Sequence, residues 1–390
     1  MSSAPAAPHE RLESIDLLRG VIMILMALDH VRDFFGVPGV NPTNVATTTV
    51  ALFFTRWVTH FCAPIFFLLT GTGAFLSRRR KSTGELSAFL FTRGLWMIFL
   101  ELVIVRCFGL QFNIDYRVTF LEVLWALGWA MITLALLVRM PAVVSLLFGV
   151  VLVAGHNMLD GLRIAHPLWA IIHGPGFVIN TPEHIVFAAY PLVPWVGVTA
   201  LGYALGQLYD MASAQRRLWL GRVGGSLIVA FIALRLINVY GDPFPWSIQR
   251  SPAFTLLSFL NTHKYPPSLL FLLMTLGPAL LLLRLWDAST PRSLGPAVIV
   301  GRVPLFFFLI HFPFIHLLAV GVAYARYGSA HWFFESPSLD KYPFTPPPEW
   351  GYSLAAIYLI WLAVVLALFP VCRWFAGVKA RSQHRWLSYL

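Results

Sequence analysis

Long apolar runs separated by short polar loops dominate the chain. About twenty consecutive apolar residues cross a bilayer as a helix. By that measure the sequence predicts about ten spans: Ile15–Phe35, Val50–Leu76, Ala88–Cys107, Val118–Val138, Ala142–Leu159, Ile185–Tyr209, Val223–Tyr240, Ser268–Trp286, Ala297–Tyr324 and Tyr352–Phe375. The implied fold class is all-α, a polytopic transmembrane helix bundle. It divides into a short N-terminal segment (1–13), one membrane domain (14–376) and a basic tail (377–390). The stretch His166–Ile179 is too short and too glycine-broken for a crossing, and reads as a re-entrant segment or an interfacial turn. No internal repeat is evident. Ile15–Phe35 exceeds the apolar core of a secretory signal and lacks a basic region before it, so it is expected to be retained.

Composition agrees with the pattern. The chain is 58% hydrophobic and 12% charged, whereas soluble domains average about 25% charged residues. Its formal charge of +11 would suggest nucleic acid in a soluble protein, but no basic-aromatic or glycine-rich motif supports that partner. The excess instead fits basic cytoplasmic loops. Fifteen Lys and Arg residues fall on the side that includes Arg11, Arg78–Lys81 and the C-terminal tail, and eight on the other, which includes Arg163 and Lys341. The asymmetry predicts cytoplasmic termini and a multi-pass protein of the cell (inner) membrane. Cys62, Cys107 and Cys372 lie far apart, with neither disulfide nor metal-ligand spacing.

The informative departures from apolarity lie inside the spans. The first carries Asp16, Arg19, Asp29, His30, Arg32 and Asp33. Charges at membrane depth are costly and usually face a bundle interior or a wet cavity. Arg19, Met23, Met26, His30 and Asp33 follow three- and four-residue steps and share a helical face. Asp16 can pair with Arg19, and Asp29 with Arg32. His60, His311, Glu101 and Arg56 add ionisable groups from other spans. Each could serve a site or merely satisfy a neighbouring helix. Arg93 and Arg302 lie near the basic ends of their helices, where they could snorkel or grip an anion. The loops Gly241–Pro267 and Arg326–Gly351 are rich in proline and aromatic residues, Trp246 among them. They read either as interfacial anchors or as a rigid vestibule whose aromatic faces suit sugar rings.

Four ordered stretches carry a family resemblance: RLESIDLLRGVIMILMALDHVRDFF, THFCAPIFFLLTGTGAFL, SFLNTHKYPPSLLFLLMTLGPALLLL and GRVPLFFFLIH. Together they resemble the bacterial branch of the heparan-alpha-glucosaminide N-acetyltransferase-like family (the DUF1624 domain), from about Arg11 to Phe375. The resemblance implies a membrane acyltransferase that takes acetyl from cytosolic acetyl-CoA to an amino-sugar or other glycan acceptor on the far side. It points to Asp16, Arg19, Asp29, His30, His60, Arg302 and His311, with Tyr265, Pro266 and Pro267 bordering the site. His60 stands where lysosomal members carry an aspartate, so the histidine of those enzymes has no counterpart here.

For that chemistry His30, His60 and His311 are the candidate bases or relays, oriented by Asp29 or Asp33. Asp16, Arg19, Arg93, Arg302 and the Arg78–Lys81 loop would meet the CoA donor. Arg56, Glu101, Tyr265 and Trp246 would meet the acceptor. No metal is expected. Membrane lipid is a further expected partner, and a homodimer is compatible with the sequence. Two other classes fit the intramembrane charges: a proton-coupled transporter and a purely structural or partner-binding membrane protein.

Overall fold

In the computed structural model, residues 12–162, 164–335, 338–339, 344–382, 384, 387 and 389 are described. Arg11, Arg163, Lys341 and Arg385, used above for orientation, lie outside them, as does most of segment 1–13.

The described chain is mostly helical. Helix α1 (Glu13–Phe35) is followed by α2 (Val50–Thr59), α3 (Cys62–Ser77) and α4 (Thr83–Phe99), which continues as a π-helical stretch, Leu100–Leu110. Strand β1 (Val118–Leu121) leads into α5 (Val123–Leu137), then α6 (Ala142–Gly155) and α7 (Pro167–Ile172). Strands β2 (Gly176–Asn180) and β3 (Ile185–Ala188) precede α8 (Leu192–Leu205) and α9 (Ser213–Ile237). The chain ends with α10 (Pro252–Leu260), α11 (Leu269–Ala288), α12 (Gly295–Gly301), α13 (Pro304–Tyr327) and α14 (Leu354–Arg381).

Among the described residues, seven segments are long and apolar enough to cross a membrane: Val50–Ser77, Thr83–Leu110, Ala142–Leu159, Ser213–Ile237, Leu269–Ala288, Pro304–Tyr327 and Leu354–Arg381. The other three expected spans differ for identifiable reasons. Helix α1 carries too many charges to read as apolar. The expected fourth and sixth spans begin as strands, leaving α5 and α8 with 15 and 14 residues. Strand β3 pairs parallel with β1 and antiparallel with β2, in the order β1-β3-β2, with a bulge between Phe177 and Ile179. This small sheet was not expected, because VTFL and IVFA merge with the apolar helices that follow them. The stretch His166–Ile179 resolves into α7 and most of β2.

Local sequence explains many helix ends. Ser82 and Glu85 form a reciprocal capping box at the start of α4. Thr49, Ser251, Ser268 and Ser353 accept from backbone amides at the starts of α2, α10, α11 and α14. Two of the expected spans are broken inside: α2 and α3 separate at His60 and Phe61, and α12 and α13 at Arg302 and Val303, with Pro304 opening α13.

Glycines set the closest helix crossings. A Cβ on Gly20 would lie 1.7 Å from the Ala297 carbonyl oxygen, and one on Gly301 would lie 1.7 Å from that of Asp16. Gly71 and Gly202 make the same kind of crossing between α3 and α8. Small residues let membrane helices approach backbone to backbone, and here they lock α12 against the N-terminal half of α1. Gly301→Ala is therefore expected to destabilise the protein by at least about 3 kcal/mol, the upper end for overpacking. Gly321→Ala, where a Cβ meets nothing within 4 Å, should be neutral. Thermal unfolding of the two variants in detergent checks both outcomes.

Candidate functional site

A series of four cavities with shared walls follows α1 from end to end. The first, about 600 Å³, lies at the N-terminal end of α1 and is lined by Asp16, Arg19, Arg79, Arg80, Arg302 and Lys379. The second, about 320 Å³, shares Asp16, Arg19, Arg302 and Lys379 with it and adds Arg93. A collar of Phe66, Leu124 and Phe308 lines both the second cavity and a third of about 170 Å³. That third cavity holds Asp29, His30, Arg56, Glu122, Tyr190, Lys264 and Tyr265 in its wall. His30, Arg32, Asp33, Glu122 and Phe312 separate it from a fourth, about 820 Å³, around the C-terminal end of α1. Phe344, Thr345, Pro346 and Tyr352 from the long proline-rich segment and the start of the last helix complete that outer wall.

The first two cavities are basic. Asp16 is buried between Arg19 at 3.8 Å and Arg302 at 3.9 Å. Arg302 also reaches Glu13 at 3.8 Å, and Arg19 donates to the Leu69 carbonyl at 3.1 Å. Asp210 lies 3.0 Å from Arg79, so Glu13, Asp16 and Asp210 stand against five cations, Arg19, Arg79, Arg80, Arg302 and Lys379, and the excess leaves a cationic mouth suited to phosphate.

The third cavity is charge-balanced. Asp29 accepts from Arg32 at 2.8 Å and is also hydrogen-bonded to Arg56, which brings α2 onto α1. Arg32 donates in addition to Asp33 at 2.6 Å. Asp33 Oδ2 lies 3.6 Å from His30 Nδ1. The His30 ring packs on Phe312 at 4.0 Å and on His311 at 5.3 Å between centroids. His311 is fully buried, and its Nδ1 lies within 3.0 Å of the Phe307 carbonyl and 2.7 Å of the Phe308 carbonyl, which makes Nδ1 the donor. Lys264 Nζ lies 5.0 Å from the Tyr265 ring centroid, and Tyr265 meets Tyr190 edge-on at 5.4 Å. Burial opposes ionisation of Tyr265, but Lys264 and Arg56 outweigh it and hold the phenol below the usual tyrosine range.

A model of one protein family, described as heparan-alpha-glucosaminide N-acetyltransferase, catalytic, matches residues 11–235, more than half of the chain. The chain belongs to this family. No curated protein matches it. The matched region runs from the start of α1 nearly to the end of α9, so it includes Asp16, Arg19, Asp29, His30 and His60 but not Lys264, Tyr265, Arg302 or His311.

The family's chain here gathers most of the residues singled out from its sequence. Asp16, Arg19, Arg93 and Arg302 meet around the basic cavities, and Asp29, His30, Asp33, Arg56 and Tyr265 around the third. The remaining four stand elsewhere. His60 caps the break between α2 and α3 and packs on Phe271 at 5.4 Å, outside the cavity walls. His311 stands behind His30 rather than in the wall. Glu101, in the π-helical stretch, accepts from the Leu124 amide at 2.7 Å and so caps α5, as a buried carboxylate at a helix N-terminus does. Trp246 is held within its own loop, donating to the Arg235 carbonyl at 2.7 Å and packing on Phe259.

Lys264 and Tyr190 are wall residues that sequence reasoning did not select, while Arg32 entered it as Asp29's partner and Glu122 as a carboxylate shallow in the fourth expected span. Glu122 had a readable signal, since it is an isolated carboxylate at the head of an apolar run. Lys264 had one too, standing beside Tyr265 in the KYPPS stretch.

The arrangement separates structural from chemical roles. Asp29→Asn would strand Arg56 without its carboxylate, while Arg32 keeps Asp33, and is expected to cost about 3–5 kcal/mol. The double variant Asp29→Leu/Arg56→Leu should recover part of that loss. Thermal denaturation of the three proteins in one detergent checks this.

Proposed function

We propose that this protein is an integral-membrane acyltransferase. It moves acetyl from cytosolic acetyl-CoA to an amino-sugar or other glycan acceptor on the opposite side of the bilayer. The observation that carries this reading is the series of cavities joining a cationic mouth to a charge-balanced chamber in which His30 is the wall histidine. Membership of an N-acetyltransferase catalytic family supports the reaction class. The excess of basic residues supports placing the mouth and both termini in the cytoplasm of a cell whose inner membrane holds the bundle.

The donor's phosphates occupy the mouth, against Arg79, Arg80, Arg302 and Lys379. Its pantetheine arm threads the collar of Phe66, Leu124 and Phe308 and presents the thioester to His30. The acceptor enters the outer cavity. Asp33, facing Nδ1, favours a proton on that nitrogen and leaves Nε2 free as a base. His30 then removes a proton from the acceptor's nitrogen or oxygen, which bonds to the acyl carbon. The carbon–sulfur bond breaks, and the proton passes to the departing CoA sulfur. Lys264 and Tyr265 lie in the same wall and supply donors for the developing oxyanion. His311 buttresses the His30 ring.

His30→Ala is expected to lower transfer of labelled acetyl to glucosamine in membranes by about 10²–10⁴-fold, the usual contribution of a general base. The triple variant Arg79→Ala/Arg80→Ala/Lys379→Ala should raise the KM for acetyl-CoA with little change in kcat. Full activity of His30→Ala would overturn the base assignment. Failure of CoA to raise the melting temperature of the wild-type protein would overturn the donor assignment.

A further inference from the structure

We infer, on the acyltransferase reading above, that Glu122 binds the acceptor's ammonium and removes the first of its protons. An aliphatic amine carries its proton at neutral pH, as lysine does. An acceptor that arrives as an ammonium must lose two protons to become an amide, one before its nitrogen can attack and one as it attacks. His30 conveys only one of them, to the departing CoA sulfur. The chamber therefore needs a second proton acceptor, and an anionic one would also hold the incoming cation.

Among the described residues, three carboxylates line the chamber, Asp29, Asp33 and Glu122. Asp29 is held by Arg32 and Arg56. Asp33 accepts from Arg32 at 2.6 Å and faces His30 Nδ1 at 3.6 Å. Glu122 differs from both. Among the described residues, no hydrogen bond or ion pair reaches its carboxylate. It stands at the N-cap of α5, yet its side chain caps nothing there. That role falls to Glu101, which accepts from the Leu124 amide at 2.7 Å. The backbone around Glu122 is nevertheless fixed. The Leu121 carbonyl accepts from the Ala189 and Tyr190 amides at 3.1 and 3.2 Å, and the Glu122 carbonyl accepts from the Ala126 amide at 3.1 Å. A half-buried carboxylate on a fixed backbone, with no protein partner, is placed to receive a ligand and not to hold the fold.

Glu122 lines both the third cavity and the outer one, where the acceptor enters. The ammonium pairs with the carboxylate, an N–H bond breaks, and the proton moves to a Glu122 oxygen while the electron pair stays on nitrogen. The neutral amine then bonds to the acyl carbon and the carbon–sulfur bond breaks. The second proton travels through His30 to the sulfur. The proton on Glu122 leaves by the outer cavity, which restores the carboxylate. One turnover thus converts an ammonium and a thioester into an amide, a thiol and a released proton. A hydroxyl acceptor has only the proton that His30 handles, so this use of Glu122 is specific to amines.

The test is transfer of labelled acetyl from acetyl-CoA to glucosamine by the purified full-length protein in detergent. Glu122→Gln keeps the side chain's shape and removes its charge. It is expected to lower kcat/KM for glucosamine by about 10²–10⁴-fold. The loss should come from a raised KM for glucosamine and a lowered kcat, with the KM for acetyl-CoA within about threefold of wild type. Glu122→Asp keeps the charge and should recover at least about tenfold of the loss. Glu122→Gln should also melt at the wild-type temperature, since no partner in the fold depends on the carboxylate. Wild-type kinetics in Glu122→Gln would overturn the inference and leave the acyltransferase reading intact. An equal loss in both variants with a lowered melting temperature would overturn it too, by making the residue structural. If the wild type binds CoA yet leaves glucosamine unmodified, the role in amine transfer falls and the donor assignment stands. If CoA itself does not bind, both fall.

Discussion

A carboxylate inside a bilayer needs a counter-charge from the protein itself, and Asp29 takes two, Arg32 from its own helix and Arg56 from α2. Such a network contributes little net stability compared with apolar packing, but losing one member leaves buried charge uncompensated. Its consequence is therefore geometric. It fixes α2 against α1 and, with Asp33, Glu122 and Lys264, gives the chamber three carboxylates and three cations around His30.

The same helix carries the opposite arrangement one half-length away. Asp16 is outnumbered by Arg19, Arg302 and the cations of the α3 end and α14. The asymmetry depends on backbone contact. The Gly20–Gly301 crossing brings α12 close enough for Arg302 to reach Asp16, and the break after Gly301 lets Arg302 turn into the cavity while Pro304 restarts the helix. Helix association in lipid gains nothing from water exclusion, so close glycine packing and buried polar pairs must supply it. Both occur at this one crossing.

Much of this was legible in the sequence. The helical class followed from the apolar runs, and Arg19, His30 and Asp33, which the spacing set on one face of α1, all line cavities. The Asp16–Arg19 and Asp29–Arg32 pairs both form. Where the structure departs from the pattern, the reasons are physical. Strands of four or five residues cannot be told from helix starts by hydrophobicity alone, which concealed β1 and β3. Depth along a helix does not give its rotation, so His60 and Glu101 lie at plausible heights yet serve a helix break and a helix cap. Trp246 looked like a sugar platform by residue type, and is committed to its own loop. Glu122 and Lys264 were visible, but only the fold shows that they face the same chamber.

The collar bears on the classes of function that the intramembrane charges alone left open. A transporter must pass its whole substrate, and Phe66, Leu124 and Phe308 would strip the hydration of any polar molecule crossing between the two lower cavities and the chamber. An acyl donor faces no such cost. On the reading proposed above, its phosphates would stay at the cationic mouth, the acceptor in the outer cavity, and only a slender, weakly polar arm would enter the constriction. By excluding water, an apolar collar would also strengthen the charges beyond it, since electrostatic interactions grow as water is excluded. An apolar constriction between a basic mouth and a balanced chamber is thus an obstacle to transport and an advantage to group transfer, because group transfer requires only the acyl group to change sides.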